Sequence, residues 1–138
     1  MRLHRNAKVD LLRRVPLFGA LSKRELEQLG GVADELDLAA GQTLIKEGTR
    51  GREFFVLVEG EAKVAKDGRT VTSMRDGDFF GEIALVTEVP RTSTVTATTP
   101  VRLLVLTKRD FQRVLREHPE IQRKVLEALA LRLAPETL

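Results

Sequence analysis

With 138 residues the chain has the size of one domain able to bury a real core, and its 42% apolar and 31% charged residues are ordinary for a soluble globular protein. The net charge of +3, with both signs mixed along the chain, reads as solubility rather than a nucleic-acid surface; the absence of cysteine excludes disulfides, thiolate metal sites and thiol nucleophiles. No apolar run has the length of a membrane span, and the opening MRLHRNAKVDLLRR lacks the apolar core of a signal peptide, so a cytoplasmic chain is expected.

Val9, Leu11, Leu12 and Val15 predict a short amphipathic helix stopped by Pro16. Ser22 and Glu25 have the spacing of a capping box, and Leu26 and Leu29 continue a second helix that Gly30-Gly31 should end. From Val32 to Thr107 the pattern changes to short strand-like segments between turns: Leu36 to Leu38, Thr43 to Ile45, Phe54 to Val58, Ala62 to Val64, Val71 to Met74, Thr92 to Ala97 and Val101 to Leu106. Asp67-Gly68 is a two-residue hairpin signal, and Asp76-Gly77-Asp78 is a further turn. Many short, regularly spaced strands indicate an antiparallel sandwich or barrel rather than a βαβ sheet. After Thr107 the helical period returns. Thr107 and Asp110 can cap a helix carrying Phe111, Val114 and Leu115; Pro119 suits a first helical position; and Ile121, Val125, Leu129 and Leu133 form one apolar stripe ahead of Pro135.

Several chemistries lack their residues. His4 and His118 both lie outside the strand region, so a metal-binding cupin, which needs histidines lining its barrel, is poorly supported. There is no nucleophile elbow, no phosphate-binding loop ending in Lys-Ser/Thr and no dinucleotide fingerprint. A binding module fits better than an enzyme.

The stretch GEIALVTEVPRTSTV, beginning at Gly81, gathers what chemistry there is. Gly81 permits a sharp turn or a close approach, and Glu82 to Leu85 are enough for about one helical turn whose leading N–H groups favour an anion. Arg91 offers a planar fork that matches two phosphate oxygens. Glu82 would repel a phosphate, so a ligand-facing Glu82 must take a hydroxyl elsewhere on the same molecule. The implied ligand has an anionic end, a neighbouring hydroxyl and an apolar ring. The alternative is an ordinary first-turn carboxylate and a loop arginine pairing in solvent with Glu88 or Glu82.

The order of these elements shifts the balance toward the ligand-binding reading. FFGEIALVTEVPRTSTV resembles the phosphate-binding cassette of cyclic nucleotide-binding domains, and AAGQTLIKEGTRGREFFVLVEGEAKV, with Gly41, Gly48 and Gly60 at its turns, resembles the first half of that family's β-roll. The resemblance implies a mainly β fold, an antiparallel β-roll (a jelly roll or double-stranded β-helix) with flanking helices. It implies a single domain over 1–138: N-terminal helices in 1–31, the roll in 32–107 with its cassette at 79–95, and hinge and lid helices in 108–134. Glu82 would take the ribose 2′-hydroxyl. Arg91 would hold the cyclic phosphate, helped by the backbone N–H groups of Ile83 and Ala84 and the Thr92 side chain. Ser93 stands where the family usually has alanine, a small change. Val71 and Met74 are candidates for the base pocket. Phe79 and Phe80 are read as core, with Phe80 bordering the pocket. The last helix has no aromatic to cover the base, which leaves Leu126, Leu129 or the cation of Arg123.

The function so implied is a regulatory sensor, not an enzyme, that binds cAMP in preference to cGMP and needs no cofactor. Closure of the final helix would signal to an unknown protein or a fused output domain, without direct nucleic-acid contact; terminal helices could support an oligomer. A roll that serves protein interaction without a nucleotide is the alternative, and a cupin-like metal-dependent enzyme a weaker one.

Overall fold

Leucine spacing and one close helix crossing organise the first of two compact units, which holds the chain up to Val32 and from Arg109 onward. The computed structural model describes residues 3–137, with side chains as far as Leu131. Helix α1 (Arg5–Arg13) buries Val9 and Leu12, and a 3-10 turn at Pro16–Phe18 buries Leu17 and Phe18. Helix α2 (Lys23–Val32) opens with the expected capping box: the Ser22 N–H donates to Glu25 Oε1 at 2.8 Å and the Glu25 N–H donates to Ser22 Oγ at 3.2 Å.

The glycine pair does not end α2, contrary to expectation. Both glycines are inside the helix, because α1 crosses there: a β-carbon on Gly30 would touch the Lys8 side chain at 3.5 Å, and Lys8 Nζ donates to the Gly30 carbonyl at 3.2 Å. Packing outweighs the weak helix propensity of glycine. Helix α3 (Lys108–Glu117) buries Phe111 and Val114, and the Phe111 ring meets that of Phe18 at 5.7 Å in a tilted arrangement. Helix α4 (Pro119–Thr137) begins on its proline as expected and buries Ile121 and Val125; Leu133 and Pro135 lie beyond the described side chains.

Glu25 ties α2 to α4. Lys124 Nζ donates to Glu25 Oε1 at 2.7 Å, and Glu25 is only 8% exposed. Burial alone would raise its pKa, but the hydrogen bonds from Lys124 and Ser22 outweigh that and hold the carboxyl below its ordinary value. A depressed folded-state pKa means stability that is present above the unfolded value and lost as pH falls through the folded one. Glu25→Gln, which can keep the capping box but loses the charge facing Lys124, is therefore expected to lower stability by about 1–2 kcal/mol at neutral pH. The deficit should shrink on acidification below about pH 4, where the wild type loses the same contribution. Urea melts across that range check it; a pH-independent deficit would contradict it.

The second unit, Ala33–Lys108, contains eight strands: β1 (Asp34–Leu38), β2 (Thr43–Ile45), β3 (Glu53–Glu59), β4 (Ala62–Lys66), β5 (Arg69–Met74), β6 (Phe79–Phe80), β7 (Thr94–Ala97) and β8 (Val101–Thr107). They form two four-stranded antiparallel sheets, ordered β1-β8-β3-β6 and β2-β7-β4-β5. This is the expected antiparallel roll with helices before and after it in the chain. Ile45, Phe55, Leu57, Ala62, Val95, Ala97, Val101 and Leu103 pack as one buried cluster drawn from both sheets. Asp67 (φ 53°) and Gly68 (φ 78°) make the predicted hairpin turn between the paired Lys66 and Arg69. Two details differ from the sequence reading. Phe79 and Phe80 form a short strand on β3, and β7 starts at Thr94, which leaves Thr92 and Ser93 in the loop before it.

Candidate functional site

A 3-10 turn at Glu82–Leu85 follows β6 directly, and Gly81 sets up that junction. Its φ of 84° is left-handed, and a β-carbon there would lie 2.6 Å from Arg91 Nη1 and 2.9 Å from the Glu53 carbonyl oxygen. Turn, arginine and roll thus meet at one point. The Ala84 N–H donates to the Gly81 carbonyl at 3.0 Å, and the Thr87 N–H donates to the Ile83 carbonyl at 2.9 Å, closing the segment on itself.

Arg91 is held against the segment that leads into β3. Its N–H donates to the Thr49 carbonyl and its carbonyl accepts from the Gly48 N–H, each at 2.8 Å, while Nη2 donates to the Glu53 carbonyl at 2.6 Å. Burial lowers the guanidinium pKa and the Glu53 carboxylate opposes that shift; a guanidinium remains charged at neutral pH in either case. Glu88 is engaged elsewhere: it lies 3.7 Å from Lys108 Nζ, and the Lys108 amine also donates to the Thr87 carbonyl at 3.2 Å.

Arg91 and the start of the Glu82–Leu85 turn line a cavity of about 450 Å³, within the range of small-molecule sites. Arg91 and Glu82 are the two charged residues of its lining, with Gly81, Ile83, Ala84, Thr92 and Ser93 beside them. Glu82 is 9% exposed, so its carboxylate is held inside the fold. Ile45, Val64, Met74, Val89 and Val95 make the rest largely aliphatic. Phe80 lines it as expected, and Phe79 does so as well. The two rings are placed by β3: Phe80 stacks on Phe55 with centroids 5.1 Å apart, and Phe79 meets Phe54 at 6.1 Å.

Val71 is not part of the lining. It sits in β5, an edge strand whose residues are exposed almost throughout, and it is itself 59% exposed. Arg123 and Leu126 belong to α4 in the other unit. Arg123 is exposed and donates to Glu127 Oε1 at 2.8 Å, and Leu126 is 60% exposed. The residues missed by sequence reasoning are Gly51 and Glu53. A β-carbon on Gly51 would overlap Nε and Cζ of Arg91, and Glu53 supplies the carbonyl that receives the guanidinium. A second glycine so soon after Gly48 was the available signal.

The model of the cyclic nucleotide-binding domain matches residues 35–118, more than half of the chain. The chain belongs to the cyclic nucleotide-binding domain family. Among relatives, the domain is 39% identical over 115 residues to a cAMP-dependent protein kinase regulatory subunit from Eremothecium gossypii, a match that covers 83% of this chain and 25% of that protein. The chain spans about a quarter of the length of the curated relatives it matches. Among solved structures, the N-terminal domain of a transcriptional regulator from Streptomyces coelicolor A3(2) superposes with a TM-score of 0.84 at 38% identity, covering 92% of this chain and 94% of that one. The regulatory domain of Toxoplasma gondii PKA, solved with cAMP, gives a TM-score of 0.73 at 31% identity, covering 80% and 44%. No helix among the described residues of this domain is long and apolar enough to cross a membrane.

Proposed function

We propose that this domain binds a cyclic nucleotide, cAMP in preference to cGMP, and acts as a regulatory sensor rather than a catalyst. The observation that carries the reading is the cavity itself: an otherwise uncharged, mostly apolar lining that contains one guanidinium and one buried carboxylate. A cyclic nucleotide presents a matching set of groups. Arg91 takes the phosphate, with the Ile83 and Ala84 amides and the Thr92 hydroxyl beside it. Glu82 accepts from the ribose 2′-hydroxyl, and Met74, Phe79 and Phe80 offer apolar surface to the sugar and base. The Toxoplasma relative solved with cAMP, and the kinase regulatory subunits among the sequence relatives, favour cAMP. Thr92 keeps cGMP in competition, because its hydroxyl could reach a guanine amino group.

Ligand held by Arg91 would draw the Glu82–Leu85 turn inward, and α4, with Arg123 and Leu126, would cover the base. A partner protein or fused output domain would read that closure. The ligand shifts the equilibrium only through contacts it makes better in the closed state. The absence of cysteine suits the reducing compartment in which such a sensor would work, the cytoplasm.

Titration calorimetry with cAMP and with cGMP is the test. One-to-one binding of both, tighter for cAMP, is expected. Thr92→Ala should weaken cGMP more than cAMP. Tighter binding of cGMP would reverse the preference, and binding of neither would leave a roll that serves protein interaction.

A further inference from the structure

We propose that Gly51 is a positioning residue for the anion site: its missing side chain forms the berth in which the Arg91 guanidinium lies. This rests on the reading of Arg91 as the phosphate ligand. Gly51 is not left-handed, so its own backbone would accept alanine; what excludes a β-carbon is the arginine, since that atom would overlap Nε and Cζ of Arg91. The flanking contacts fix the arrangement. Thr49 and Gly48 bond the Arg91 backbone at 2.8 Å on one side of Gly51, and the Glu53 carbonyl takes Nη2 at 2.6 Å on the other. The arginine is therefore laid along a stretch of main chain, anchored at both ends of its length, with Gly51 beneath the middle.

This seat has a chemical consequence. A backbone carbonyl orients the guanidinium without cancelling its charge, so the fork keeps its attraction for an anion. A methyl group at position 51 meets the far end of a flexible side chain, and the cheap response is for that side chain to swing away. The fold should survive while the anion site is lost.

The test is a double-mutant cycle of Gly51→Ala and Arg91→Ala, read by cAMP titration, with NMR of the arginine guanidinium in the free protein. Gly51→Ala should melt close to wild type yet bind cAMP about 30-fold or more weakly, and the double variant should bind no worse than Arg91→Ala alone. The Arg91 Nη resonances should be separate in wild type, where rotation is hindered, and averaged in Gly51→Ala. Binding by Gly51→Ala within about threefold of wild type would overturn the proposal, as would a further loss in the double variant. If the wild type binds no cyclic nucleotide, the functional reading fails, and the guanidinium resonances decide the seat alone: unchanged by Gly51→Ala, they refute it.

Discussion

Arg91→Ala is expected to weaken cAMP binding by at least about 100-fold, with little change in melting temperature. The size follows from what is removed. Hydrogen bonds to a charged group contribute about 1.5–3 kcal/mol each, and a guanidinium fork can make two to a phosphate. Arg91 is also the one cation in the lining, so its loss leaves a buried carboxylate as the cavity's sole charge among the described residues. The phosphate would then enter a site with the wrong sign. Stability should hold because the guanidinium donates to a single backbone carbonyl, that of Glu53, among the described residues. Arg91→Lys should recover only part of the loss, since an ammonium keeps the charge without the planar fork. Calorimetry on the three proteins gives the comparison. Equal affinity in Arg91→Ala and wild type would place the anion elsewhere.

Glu82→Ala carries the second large effect, and a modified ligand isolates it. If the carboxylate accepts the ribose 2′-hydroxyl, removing either partner should cost about 10-fold to 100-fold in affinity, and removing both should cost little more. The affinity of 2′-deoxy-cAMP should therefore be low on wild type and nearly the same on Glu82→Ala. The burial of Glu82, on the first residue of the turn after Gly81, is what aims its carboxylate into the fold rather than into solvent. Losses that simply add would mean that Glu82 shapes the turn without touching the sugar.

The cassette was legible in the sequence because it is continuous in the chain: glycine, glutamate, apolar turn, arginine and strand follow one another from Gly81 to Val95. Local signals read equally well where they concern neighbours, as the Ser22–Glu25 capping box and the Asp67-Gly68 hairpin show. What escaped depends on residues distant in sequence. Gly30 and Gly31 stay helical because Lys8 packs on that face of α2, a contact that no propensity contains. Phe79 and Phe80 are too few to show a strand period, and only β3 makes them one. The family resemblance offered Val71 as a pocket residue, and a strand pattern by itself cannot tell an edge strand from an inner one; β5 is an edge, and Val71 is exposed. Gly51 carries no local signal of its own, because what requires a glycine there is the side chain of Arg91, forty residues further on.

On the function proposed above, a cyclic nucleotide occupies the cavity lined by the Glu82–Leu85 turn and Arg91. Amide NMR of the labelled protein titrated with cAMP tests it most directly, because it reports both binding and place. The expected result is saturation at one equivalent, with the largest shifts at Gly81 to Ala84 and at Arg91 to Ser93. A titration that leaves those amides unmoved, or moves others in their stead, would contradict it.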